Sequence, residues 1–221
     1  MVKYIRAVSY IRTLHFQGKL LIDSVPFFLL QIICMQLVIG LIGEKGSGKQ
    51  TFVNFFKEIA SDLTIRQVRF SDILAQTLLI WDIPNTRANL QKLAIIMNDG
   101  FSTKALAHAA QFNIQSDSAQ VIILDGVRRD SELKIVKKQK GSLLIYITAD
   151  VKVRFERLKK RSEKVGEIGL SLKQFMDEEK VQTELEIPKL GARADLKMDN
   201  NGTLAEFKMK IQEFYNQIKV Y

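Results

Sequence analysis

Gly43-Glu44-Lys45-Gly46-Ser47-Gly48-Lys49-Gln50-Thr51 follows directly on the apolar run Leu37-Val38-Ile39-Gly40-Leu41-Ile42. This order reads as a buried strand, a glycine-rich turn and the start of a helix, which is the setting a phosphate-binding loop requires. Glycines let successive backbone N–H groups turn inward around a phosphate, and Lys49 supplies a point charge for its outer oxygens. The residue after the lysine is Gln50, so the hydroxyl arrives one position later, at Thr51. A glycine-rich turn without a ligand is the plain alternative. Gly43, Gly46, Gly48 and Lys49 at this spacing behind a strand argue against it.

Working outward, further strand-like apolar runs occur at 65–70, 121–124, 143–148 and 195–198. Helix-patterned stretches lie between them, at 50–61, 71–80, 86–98, 103–112, 131–138, 151–161, 172–184 and 204–218. Strands alternating with helices predict an α/β fold of three layers, a five-stranded parallel sheet covered by helices on both faces. Ser71 and Thr86 stand where helix N-caps belong, and Asn200-Asn201-Gly202 reads as a turn before the last helix. No proline- or glycine-rich linker, repeat or low-complexity tract divides the chain, so one domain is expected from 35 to 221.

Composition sets the outer limits. With 221 residues, 47% hydrophobic and 26% charged, the chain is long enough for one α/β domain with a full core. Its 33 basic and 24 acidic residues give a net charge of +9, which suits polyanionic ligands and equally describes a solvated basic surface. Aromatic residues do not interleave with lysine and arginine on a strand face, so no nucleic-acid partner is expected. Cys34 is the sole cysteine, which excludes an intramolecular disulfide and a thiolate metal cluster. His15 and His108 stand apart without partners at ligand spacing. A reducing, cytoplasmic setting fits this cysteine usage, as a monomer or weak oligomer.

Residues 1–34 form a basic and then apolar extension, with Lys3, Arg6, Arg12 and Lys19 against one acid, Asp23. No small-residue cleavage site precedes the domain. A membrane helix over 25–42 would consume the strand that carries the loop, and Pro26, Gln31 and Gln36 interrupt it, so no membrane partner is expected. Met35 stands where such a domain begins. The expectation is that translation starts there, with a genuine amphipathic appendage as the alternative.

Four further constellations carry chemistry. Val121-Ile122-Ile123-Leu124-Asp125-Gly126 places a carboxylate at the C-terminal edge of a buried strand, the edge where open α/β sheets bind ligands. Asp125 there either holds Mg²⁺ through water or caps the turn at Gly126. Arg128 and Arg129 follow, and a guanidinium fork suits a second substrate's phosphate; which of the pair faces it stays open. Phe70-Ser71-Asp72 brings polar groups to the same edge, and Arg87 opens the next helix. Arg157 and Arg161 are four apart and share one helical face. They read either as cations for the charge that spreads during phosphoryl transfer or as part of an exposed basic helix. The stretch 162–171, with Gly166 and Gly169, reads as a short lid.

These motifs together resemble the P-loop nucleoside monophosphate kinase superfamily. Gly46-Ser47-Gly48-Lys49-Gln50-Thr51 is similar to the adenylate-kinase loop, whose hydroxyl also sits two after the lysine. Ser71-Asp72-Ile73-Leu74 looks like the helix start that contacts the acceptor nucleotide. Leu124-Asp125-Gly126-Val127-Arg128-Arg129 resembles the acceptor motif Leu-Asp-Gly-Phe-Pro-Arg without its proline. The tail 194–204 instead looks like that of dephospho-CoA kinases, so the group includes dephospho-CoA-kinase-like and phage-type deoxynucleoside monophosphate kinases. The resemblance implies a P-loop kinase fold with a short helical lid around 157–185 that lacks a cysteine-bound zinc. It implies ATP and Mg²⁺ as cofactors and a small-molecule phosphate acceptor. Residues 43–51 (Gly43, Glu44, Lys45, Gly46, Ser47, Gly48, Lys49, Gln50 and Thr51) would hold the nucleotide, and Thr51 and Asp125 the metal. Ser71, Asp72, Arg87, Asp125, Gly126, Arg128 and Arg129 would hold the acceptor, while Lys49, Asp72, Arg128, Arg129, Arg157 and Arg161 act in the transfer. Dephospho-CoA kinase and a non-kinase P-loop ATPase or regulatory module are the alternatives.

Overall fold

The computed structural model describes residues 36–102, 104–115, 117–161, 171–180 and 185–219. The extension 1–34 and the lid stretches 162–170 and 181–184 lie outside the described residues. Five strands, β1 (Leu37–Ile42), β2 (Ile65–Arg69), β3 (Val121–Asp125), β4 (Leu143–Thr148) and β5 (Leu196–Asp199), form one sheet in the order β2-β3-β1-β4-β5. Every pairing is parallel. The helices are α1 (Lys49–Ile59), α2 (Phe70–Ile80), α3 (Arg87–Gly100), α4 (Ala105–Gln115), α5 (Asp130–Lys138), α6 (Val151–Arg161), α7 (Leu172–Glu178), α8 (Ile187–Gly191) and α9 (Leu204–Lys219).

β1 and β3 are continuous apolar runs because both of their faces are covered, as parallel strands require. On one face Phe52 and Phe56 of α1 meet Phe207, Ile211 and Phe214 of α9 over Ile39, Leu41, Ile123 and Ile145. The rings of Phe52 and Phe56 stack at 5.7 Å between centroids. On the other face Leu133 and Val136 of α5, with Ala107, Ala110 and Ile114 of α4, cover Val38, Ile122, Leu124 and Leu144. Each fully buried valine, leucine, isoleucine or phenylalanine among these contributes about 1.5–3 kcal/mol. Gly40 in β1 is required by this packing, since a Cβ there would come within 2.7 Å of Leu144 and 2.9 Å of Val136.

Register levels the carboxyl edge. Leu41 of β1 lies opposite Asp125 of β3, and Asp125 lies opposite Arg69 of β2. The loop after β1 and the ends of β2 and β3 therefore meet at one edge of the sheet. Between β2 and β3 the chain makes an excursion through α2, α3 and α4, in which α3 packs on α2 and α4. No helix of the described residues is long and apolar enough to cross a membrane.

Three local details differ from the sequence-based expectation. β2 ends at Arg69, and the buried Phe70 already belongs to α2. Ser71 is therefore an exposed residue of the first turn and caps nothing, because seating Phe70 in the core starts the helix one residue earlier. Thr86 does cap α3, accepting from the Asn89 amide at 3.2 Å. α8 was not anticipated; it is a single turn of five residues with proline in its opening positions.

Candidate phosphate and acceptor site

The loop 43–48 is shaped by left-handed turns. Gly46 has φ 80° and Gly48 φ 106°, conformations in which a side chain is strained. Space excludes side chains as well: a Cβ at Gly46 would lie 2.8 Å from the Arg154 carbonyl, and one at Gly48 would overlap Asn200 Nδ2. Asn200, at the end of β5, is buried and donates to the Ser47 carbonyl at 2.8 Å. Lys49 folds back over the turn, its Nζ donating to Gly43 O at 2.6 Å and Glu44 O at 3.1 Å. Thr51 lies half-buried in the first turn of α1, which holds no acid. Unpaired N–H groups and the helix dipole there favour an anion. The buried Ser47 Oγ has no hydrogen-bond partner among the described residues. A glycine turn leading into a helix N-terminus, an orphaned hydroxyl and a lysine fit a polyphosphate.

Opposite the loop stands Asp125, with a side chain only 10% exposed. Its Oδ2 accepts from Gln67 Nε2 at 2.9 Å and lies 3.5 Å from Arg69 Nε. Both partners come from β2. Gln67 Nε2 also donates to Gln50 Oε1 at 3.0 Å, and Arg69 Nη2 donates to the same oxygen. The residue that displaces the hydroxyl from its usual position is thus tied to the acid at the end of β3. Asp125 suits a hard cation shared with phosphate oxygens. No group of three His, Cys, Asp or Glu side chains that could hold a metal occurs among the described residues. A cation here would depend on the nucleotide's oxygens for the rest of its shell.

Gly126 turns the chain at φ 91°, and the amides of Gly126 and Val127 donate to Leu41 O. Arg128 and Arg129 then lead into α5. Their backbone amides donate to Glu132 Oε2 at 2.7 and 3.2 Å, so one buried carboxylate sets the direction of both residues. Burial pushes Glu132 above the ordinary carboxylate range, and these bonds only partly offset it. Asp72 lies exposed in the first turn of α2. Arg87 is the first residue of α3, on the excursion rather than on the sheet.

On the other side of the loop, α6 carries Arg154 and Arg157 one turn apart. Arg154 is buried; it donates to Ala149 O at 2.8 Å and Lys45 O at 3.2 Å, and it pairs with Glu179 just beyond α7. Its guanidinium lies 5.6 Å from the buried Phe175 ring of α7, and Lys45 Nζ lies 6.0 Å from the same ring. Arg157 donates to Asn200 Oδ1 and Gly202 O at 3.4 Å each. Burial pulls its guanidinium below the ordinary value, while Asp199 opposes that shift. An open pocket of about 370 Å³ lies between Lys152, Glu156, Arg157 and Lys160 of α6 and the Asn201-Gly202 turn. Arg161 closes α6. From β4, the Tyr146 hydroxyl donates to Glu44 in the loop; burial and then this bond push it up to about 12.

The structure therefore brings together the loop, Asp125, Gly126 and Arg157. Asp72, on α2, has no contact with that cluster among the described residues, and Arg87 opens α3, which packs on α2 and α4. Four residues escaped the sequence-based reading: Gln67, Arg69, Arg154 and Glu132. Gln67 and Arg69 alternate along β2, a polar face running to the ligand edge, and that period was a usable signal. Arg154 acts through partners distant in sequence, which no spacing encodes, and Glu132 acts through the backbone amides at the start of α5.

A parallel sheet in the order β2-β3-β1-β4-β5, with a glycine-rich loop after its central strand, is the P-loop kinase fold. A shikimate kinase from Bacteroides thetaiotaomicron shares it with a TM-score of 0.55 at 11% identity, over 81% of this chain and 98% of that one. The shikimate kinase from Acinetobacter baumannii, in complex with shikimate, gives 0.53 at 13% identity over 86% and 99%. No family model matches the chain. In sequence it is similar to a UPF0200 protein of Hyperthermus butylicus, 24% identical over 83% of this chain and 95% of the relative. A UPF0200 protein of Methanocaldococcus jannaschii is 30% identical over 57% and 62%.

Proposed function

We propose that the protein is an ATP-dependent small-molecule kinase that moves the γ-phosphate to a nucleoside or deoxynucleoside monophosphate. One observation carries the reading: the loop cradle closed by Gly46, Gly48 and Lys49 faces the buried Asp125 across a shared carboxyl edge. In this reading loop amides and Lys49 bind the donor's phosphates, and the α6 pocket beside Arg157 receives its base. Asp125, with Thr51, would hold Mg²⁺, which supplies charge neutralisation at the phosphate oxygens. Arg128 or Arg129, aimed by Glu132, positions the acceptor's phosphate, with Arg87 as a further contact. An acceptor phosphate oxygen forms the new P–O bond as the bond from the γ-phosphorus to the ADP oxygen breaks. A phosphate nucleophile needs no general base. Arg157 and Arg161 are the cations available to the charge that spreads over the transferring group.

A hydroxyl acceptor of the dephospho-CoA type is the second reading. Asp72 at the start of α2 is the candidate base in that reading, since a hydroxyl nucleophile must lose its proton to a base. Both are tested by a coupled assay with ATP across nucleoside monophosphates, deoxynucleoside monophosphates and dephospho-CoA. Lys49→Ala is expected to abolish turnover while circular dichroism stays unchanged. Undiminished turnover by that variant would refute the mechanism. ATP hydrolysis that no acceptor stimulates would favour an ATPase module instead.

A further inference from the structure

Between the start of α1 and the end of β3 lies a cation of the protein's own, Arg69. Arg69 engages both Asp125 Oδ2 and Gln50 Oε1, with Nε 3.5 Å from the carboxylate and Nη2 donating to the amide oxygen. Gln67 closes the ring, its Nε2 donating to Asp125 at 2.9 Å and to Gln50 at 3.0 Å. Arg69 ends an edge strand, and its side chain is 41% exposed, so it has room to leave; Asp125, at 10%, has none. Two oxygens of the type a hard divalent cation takes are thus held by a guanidinium beside the start of the helix that follows the phosphate loop.

We propose that Arg69 is the resident counter-cation of Asp125 and that metal–nucleotide binds by exchange with it. This rests on the reading that a nucleotide with its cation occupies the loop. A buried carboxylate without a partner is costly, so Arg69 keeps Asp125 ionised and in place before the ligand arrives. A divalent ion on Asp125 would stand a few ångströms from the guanidinium, and like charges at that range repel. The two states exclude one another, and Arg69 must swing outward along β2 as the metal enters. Arg69 is accordingly a positioning residue: it lowers the benefit that metal gives to nucleotide binding and leaves the freed guanidinium at the acceptor edge.

The test measures affinity for a non-hydrolysable ATP analogue by calorimetry, once with Mg²⁺ and once with EDTA. In Arg69→Met the ratio of the two affinities should rise by about tenfold, within the usual range for coupling between sites. Arg69→Gln should behave alike, Arg69→Lys should keep the ratio near that of the unsubstituted protein, and Asp125→Asn should bring it close to one. An unchanged ratio in the Met and Gln variants overturns the exchange. So does an equal rise in Met and Lys variants, because then charge is not the cause. If the unsubstituted protein binds no analogue, both the exchange and the proposed function fall. If the ratio shifts as stated and no acceptor is phosphorylated, only the kinase reading falls.

Discussion

At the scale of single residues, the loop's conformation depends on one tight pairing, Gly48 against Asn200. Gly48 adopts φ 106° with the Asn200 amide where its Cβ would be, and that amide donates to the Ser47 carbonyl at 2.8 Å. Gly48→Ala therefore incurs a backbone cost and also displaces a buried hydrogen bond. The two together should lower stability by about 2–3 kcal/mol. Asn200→Ala leaves Ser47 O unsatisfied and should cost about 1–2 kcal/mol. In the double variant the new methyl has room, so the combined loss should fall short of the sum by about 1 kcal/mol. Urea denaturation of the four proteins checks this. Strict additivity would mean that Asn200 does not fill the space above Gly48.

Among the elements, the start of α5 carries a pH dependence. Glu132 is buried at its third position and held above its ordinary value of 4.5 by desolvation. The folded protein then keeps a proton that the unfolded chain releases, so stability falls as pH rises from about 4.5 through the raised native value. Glu132→Gln retains an oxygen for the amides of Arg128 and Arg129 and removes the ionisation. Subtracting the variant's denaturation free energy from that of the unsubstituted protein should leave a difference that declines with pH over this window. A flat difference would mean that Glu132 is not desolvated. The elements also differ in how far they could be read beforehand. β1, β3 and the loop were legible because their signals are local, an unbroken apolar run and glycines at fixed spacing. α8 was not, since five residues are too few to display a helical period. Ser71 misled because its capping chemistry is local while the burial of Phe70 that overrode it is tertiary. Gln67 and Arg69 gained their meaning from the β2–β3 register, which brings Arg69 opposite Asp125 across 56 positions of sequence; the alternation along β2 gave only their face.

Across the whole molecule, burial is uneven, and this predicts an order of opening. β1 and β3 lie between both apolar clusters, and every residue of β3 is buried. The excursion from α2 to α4 is seated through Phe70, Leu74, Leu78, Ala107, Ala110 and Ile114. α3 has no buried side chain among those described, and it packs on its neighbouring helices. Opening α3 exposes little apolar area, whereas separating β1 from β3 dissolves both clusters. Amides of α3 should therefore exchange with solvent by local opening, about 100-fold or more faster than those of β3, which await global unfolding. Hydrogen exchange read by mass spectrometry over peptides of α3 and β3 checks this, and equal protection would refute it. A non-hydrolysable ATP analogue should slow exchange in the loop and α1 and leave α3 unchanged, because α3 packs chiefly on α2 and α4 among the described residues. Adding a nucleoside monophosphate should then slow α3 itself if Arg87 at its start engages the acceptor. An α3 that stays as open with both ligands as with one would remove Arg87 from the acceptor site.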